Sequence, residues 1–122
     1  MIEIRMNTRR LKLTIKGHAM PEEGKEYSAA CTAASAIAQG LAWTLAKYNG
    51  GKGAMKAFDY KNDPGDLLIK VFPETWAERE LTHRFEIYGD GLELLAKSHP
   101  QYVRMIWDEE LILPEKEETE NE

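Results

Sequence analysis

Two residues in this chain have side chains suited to covalent chemistry and stand close enough in sequence to meet: His18 and Cys31. A cysteine attacks as its thiolate, and a neighbouring imidazole both favours that form and shuttles the proton to a leaving amine. His18 follows Gly17 where a run of alternating residues ends. Cys31 falls within the first turn or so of an alanine-rich segment that reads as a helix. The unpaired N–H groups at such a helix start favour an anionic sulfur and can stabilise an oxyanion. A strand end and a helix start joined by a short loop can face each other, so the pair is geometrically feasible. The competing reading is plain: a lone cysteine among alanines is usually a small buried apolar residue, and a histidine after a glycine is often a hydrogen-bonded loop residue.

The elements that would position this pair follow from periodicity. Ile2, Ile4 and Met6 alternate with Glu3 and Arg5, and Leu11, Leu13 and Ile15 alternate with Lys12, Thr14 and Lys16. Period-two patterns predict strands with one wet face, and the link Thr8-Arg9-Arg10 joins them as an antiparallel hairpin. A loop containing Pro21 and Gly24 is expected from Gly17 to about residue 26. Good helix formers fill residues 27–48, and Asn49-Gly50-Gly51 stops them. Residues 54–60 and 67–72 read as a second strand pair around Asn62-Asp63-Pro64-Gly65. Thr75-Trp76-Ala77-Glu78 has the form of a capping box, followed by the stripe Leu81, Phe85, Tyr88, Leu92 and Leu95. Gly89 and Gly91 each cost that helix about 1 kcal/mol against Ala, which packing must offset unless the helix bends there. His99-Pro100 ends it, and residues 102–107 make a last strand. The order is ββαββαβ, an α+β sandwich of two layers with two helices on a small antiparallel or mixed sheet.

The 122 residues suit one domain, expected over residues 1–110, with an acidic, solvated tail over 111–122. The formal charge is −5, of which residues 114–122 supply −4. A near-neutral body points away from nucleic acid and towards a protein or peptide partner. The apolar stretch of residues 29–46, interrupted by Thr32, Ser35 and Gln39, reads as too polar for a membrane span, and no signal-peptide pattern opens the chain. A cytoplasmic protein without membrane attachment is expected. One cysteine excludes an intramolecular disulfide and a multi-cysteine zinc site. Gly50-Gly51-Lys52-Gly53 lacks the spacing of a phosphate loop, and Asp59, Asp63 and Asp66 lack that of a calcium loop. His83 and His99 read as structural.

Gly17-His18-Ala19, then Gly24, then Cys31-Thr-Ala-Ala-Ser35 resembles the signature of the ribosomal-processing cysteine protease family: Gly-His ending a strand, a glycine-containing loop, and Cys-x-x-x-Ser opening a helix. The likeness spans roughly residues 1–107 and continues in the segment from Tyr88-Gly-Asp-Gly to Gln-Tyr-Val103. It implies a peptidase that removes a short N-terminal extension from a bacterial large-subunit ribosomal protein. Cys31 then matches the nucleophile, His18 the base, Gly17 the residue before it, and Ser35 the serine one turn on. Ser35 shares a helix face with Cys31 at this spacing; a hydroxyl bonded back to a helix carbonyl is the alternative. Members of that family carry an acid shortly before the cysteine. Here the run is Ser28-Ala29-Ala30-Cys31, which leaves Glu26 as the carboxylate to orient the imidazole. The resemblance implies a homodimer, which an exposed sheet edge also favours, and a thiolate–imidazole pair needs no cofactor or metal. The charged loop after His18 suits a lid that orders over an extended peptide. Two variants stay open: the same chemistry on a phage capsid or scaffold protein, and an inactive relative that holds a peptide.

Overall fold

In the computed structural model, which describes residues 1–17 and 24–108 and only the backbone of 24–28, the expected order is observed. Strands β1 (Ile2–Asn7) and β2 (Lys12–Lys16) are followed by helix α1 (Gly24–Asn49). Then come β3 (Met55–Asp63), β4 (Asp66–Pro73), a 3-10 turn (Thr75–Ala77), helix α2 (Glu78–Ser98) and β5 (Val103–Trp107). The sheet runs β3-β4-β2-β1-β5, parallel only between β1 and β5 and antiparallel elsewhere. The fold is thus α+β with a mixed sheet. The parallel pair arises because α2 intervenes before β5.

Period-two burial sorts β1, β2 and β4 as the sequence predicts. Ile2, Ile4 and Met6 of β1, Leu13 and Ile15 of β2, and Leu67, Ile69 and Val71 of β4 lie in the core. They meet Ala30, Ala34, Ala38, Leu41 and Leu45 of α1 and Leu81, Phe85, Leu92 and Leu95 of α2. Both helices therefore cover one sheet face and leave the other open. The alanines of α1 are small, and Ala30, Ala34 and Ala38 are buried in this core. They also raise its hydropathy: Ala29–Asn49 is long and apolar enough to cross a membrane by length and composition. The stretch is thus less polar than expected from sequence, but core helices have the same character, and one face of this segment is built into the core.

The helical glycines have separate explanations. A Cβ on Gly40 of α1 would come within 3.0 Å of the Tyr88 ring, and one on Gly89 within 2.6 Å of Trp107. Gly89 is the recess that seats the indole of β5, and α2 continues through it unbroken. Gly91 would meet only Ile37, at an ordinary 3.7 Å.

Three local expectations are corrected. Leu11 is not part of β2 but a buried turn residue with φ +53°, its carbonyl accepting the Val71 N–H at 3.0 Å. The turn is closed by Asn7, whose Oδ1 accepts the Arg10 N–H at 2.9 Å. The capping box does not form: Thr75 and Trp76 enter the 3-10 turn, and neither it nor α2 has a side-chain cap bond. Helix α1 starts at Gly24 rather than near residue 27, which changes the setting of Cys31.

Candidate active site

Strand β2 ends at Lys16, and Gly17 carries the chain out of the sheet with φ +103°, a conformation side chains disfavour. Its N–H donates to the Gly65 carbonyl at 3.0 Å, tying this exit to the turn between β3 and β4. A Cβ here would lie 2.4 Å from the Met1 carbonyl oxygen, so the position has room for glycine alone. Gly65, with φ +74° after Pro64, completes a two-residue hairpin turn in the type II manner.

Cys31 is a free thiol, half-buried, on the face of α1 that looks towards this turn. With Ser35, Gly17 and Gly65 it lines a cleft of about 50 Å³ between helix and sheet, floored by Ile2 and Ile15. It also lines a second, open hollow along the outside of α1, with Thr32, Ser35 and Gln39. Cys31 and Ser35 therefore form a ridge between a narrow cleft and a shallow groove, as their spacing predicts. The Ser35 hydroxyl accepts a hydrogen bond from Gln39 Nε2 at 3.0 Å, the partner the structure gives in place of a helix carbonyl.

Because α1 begins at Gly24, Cys31 lies about two turns in, not in the first. The macrodipole acts mainly within the terminal turn, so helix-end activation of this sulfur loses its support and the burden falls on a base. His18 lies outside the described residues, as do residues 19–23 of the loop read as a lid, whose last residues, from Gly24, belong to α1 instead. Glu26 lies in α1, its side chain outside the described atoms. What the structure brings together is Gly17, the residue joined to His18, with Cys31 and Ser35.

Sequence reasoning missed one wall of the cleft. Asn62, Asp63 and Asp66, from the ends of β3 and β4, line it opposite the helix. Asp66 accepts from Lys16 Nζ and Lys61 Nζ, each at 2.7 Å, and these bonds hold its carboxyl down at about 2. The signal was present as a lysine and an aspartate ending adjacent strands, but the register that pairs Lys16 with Asp66 is a tertiary fact. Among the described residues no group of histidine, cysteine and carboxylate side chains could hold a metal ion.

The chain is thus a small α+β protein, two helices on one face of a five-stranded mixed sheet, and solved structures share this fold. The ribosomal processing protease Prp from S. aureus, solved with a substrate peptide, superimposes on this chain with a TM-score of 0.67 at 15% identity, covering 88% of this chain and 99% of its own. The same protease solved with a covalently linked product peptide gives a TM-score of 0.61 at 15% identity over the same shares of both chains. SMU.848 from Streptococcus mutans gives 0.63 at 15% identity, over 87% of this chain and 90% of its own. No family model matches the sequence, and no curated protein matches it. The likeness lies in the fold.

Proposed function

We propose that this protein is a cysteine endopeptidase that removes a short N-terminal extension from a bacterial large-subunit ribosomal protein precursor. The observation that carries the reading is the placement of Cys31: the lone thiol stands on a cleft edged by Gly17 and Ser35, in a fold shared with a protease solved with both substrate and covalently linked product peptides.

The chemistry would run as follows. His18 takes the thiol proton, and the Cys31 sulfur attacks the scissile carbonyl carbon. The tetrahedral intermediate collapses as the imidazolium passes that proton to the departing amine, leaving a thioester on Cys31. Water, deprotonated by His18, adds to the thioester; the acid leaves and the thiol is restored. The open groove along α1 gives an extended peptide a path past the sulfur, with Ser35 and Gln39 offering polar contacts. Glu26, five residues before Cys31 on α1, is the carboxylate assigned to orient His18. On this reading the chain works in the cytosol, where a lone thiol stays reduced, and as a homodimer. A phage capsid or scaffold protein is the alternative substrate.

An inactive peptide-holding relative is the second reading, favoured by the depth of Cys31 within α1. The rate of Cys31 alkylation by iodoacetamide against pH, in the natural chain and in His18→Ala, separates the two. The peptidase reading expects rapid alkylation at neutral pH that slows in His18→Ala, and loss of precursor cleavage in both His18→Ala and Cys31→Ala. Alkylation only after unfolding, unchanged by His18→Ala, would make Cys31 a packing residue and the protein a binding module.

A further inference from the structure

The open face of the sheet carries a basic hollow at the opposite end of the strands from Cys31. It has a volume of about 630 Å³ and is lined by Arg5, Arg10, Lys12, Lys70, Phe72 and Asp108 among others. Arg5 is already engaged, with Glu3 at 2.7 Å and Asp108 at 3.5 Å. Arg10, Lys12 and Lys70 have no carboxylate within ion-pair distance among the described residues. Lys12 and Lys70 stand directly opposite each other on β2 and β4, an arrangement of like charges that destabilises a sheet. Burial first, then Arg10 and Lys12, lower the affinity of Lys70 for its proton, and Asp59, opposite it on β3, offsets part of this. Phe72, 42% exposed, adds an apolar surface with the Lys70 ammonium 4.4 Å from its ring centroid.

A complementary segment begins at the rim. Strand β5 delivers Asp108 to the hollow, its N–H bonded to the Met6 carbonyl at 2.9 Å. The sequence then reads Glu109-Glu110-Leu111-Ile112-Leu113-Pro114-Glu115, and residues 109–122 hold seven glutamates against one lysine. From β5 across β1 and β2 to β4 is three strand spacings, about 14 Å. Seven extended residues reach about 23 Å. The segment is therefore long enough to cross the hollow, and its sequence sets glutamates on both sides of the apolar run Leu111-Ile112-Leu113. A tethered segment of this kind meets its site at an effective concentration near the millimolar range.

We propose that the basic hollow is a docking site for the acidic segment 109–122 of the same chain. A nucleic-acid backbone fits less well, because seven glutamates leave from the rim and repel phosphate. The proposal is independent of the peptidase reading.

Lysine reactivity tests it. The full-length chain and a full-length variant with all seven of those glutamates changed to Gln are acetylated with an N-hydroxysuccinimide ester, and each lysine is followed by mass spectrometry. Lys12 and Lys70 should react about three- to tenfold more slowly in the natural chain. That protection should vanish in about 0.5 M salt and should not vary with protein concentration. Lys97 on α2, paired with Glu93 on the other layer, should react alike in both chains. The salt dependence of the natural chain alone stands if the variant folds poorly. Equal rates for Lys12 and Lys70 in both chains and at both salts would overturn the proposal. So would protection that grows with concentration, which would assign the hollow to a second copy. Protection by an oligouridylate and not by the segment would make it a phosphate site instead.

Discussion

Replacing Gly17 by Ala should damage this protein twice over, and the structure separates the two contributions. Gly17 has φ +103° and Gly51 has φ +76°, so an alanine at either place meets backbone strain of about 1–2 kcal/mol. At Gly51 that is the whole cost, since nothing lies within 4 Å of its Cβ position. At Gly17 the new carbon would sit 2.4 Å from the Met1 carbonyl oxygen, and a backbone atom cannot swing aside as a side chain can. Restoring ordinary contact demands a shift of about 1 Å in β1 or β2, and overpacking of that kind costs about 1–3 kcal/mol more. Gly17→Ala should therefore lose about 2–5 kcal/mol and Gly51→Ala about 1–2 kcal/mol. Urea unfolding measures both as displaced midpoints at constant slope. The shift would also disturb the Gly17–Gly65 hydrogen bond that sets where the chain leaves for His18. Precursor cleavage by Gly17→Ala, assayed where the protein remains folded, should accordingly fall well below that of Gly51→Ala. Equal destabilisation by the two alanines would refute the clash, and full activity in Gly17→Ala would refute the link between this exit and the site.

The glycines of α2 make a second contrast by the same assay. Gly91→Ala should stabilise the chain by up to about 1 kcal/mol, since helix propensity improves and its neighbour lies at an ordinary distance. Gly89→Ala should destabilise it despite the same gain, because Trp107 must leave its seat; a gain in both would mean the indole has room to spare. A third expectation concerns pH. Asp66 binds its proton more weakly folded than unfolded, so the unfolded chain takes up protons first as pH falls. Its stabilising contribution is present above its unfolded value of 3.8 and is lost as pH drops towards about 2. Asp66→Asn should remove that part of the acid sensitivity, seen as a flatter stability curve between these values, and the difference should shrink in high salt. An unchanged curve would show that the Lys16 and Lys61 contacts are too solvated to matter.

The sequence by itself determined the order of elements and which face of each is buried. Period two in Ile2, Ile4 and Met6 and the helical stripe from Leu81 to Leu95 are local consequences of backbone geometry, and hydrophobic burial enforces them. It also picked out Cys31, Gly17 and Ser35: the four-residue spacing of Cys31 and Ser35 fixes their shared helix face, while the fold brings Gly17 to the same cleft. Tertiary structure decided the rest. Whether Thr75 capped a helix depended on how the chain left β4, and it entered a 3-10 turn instead. Cys31 lay deeper in α1 than its neighbours suggested, because three residues from Gly24 onward joined the helix. Asn62, Asp63 and Asp66 came to the cleft only through the register of β2 against β4, and Lys12 met Lys70 by the same pairing. Net charge, summed along the chain, could not show that cations from β1, β2 and β4 gather on one open face. Pairing between strands distant in sequence sets that pattern, and no local preference encodes it.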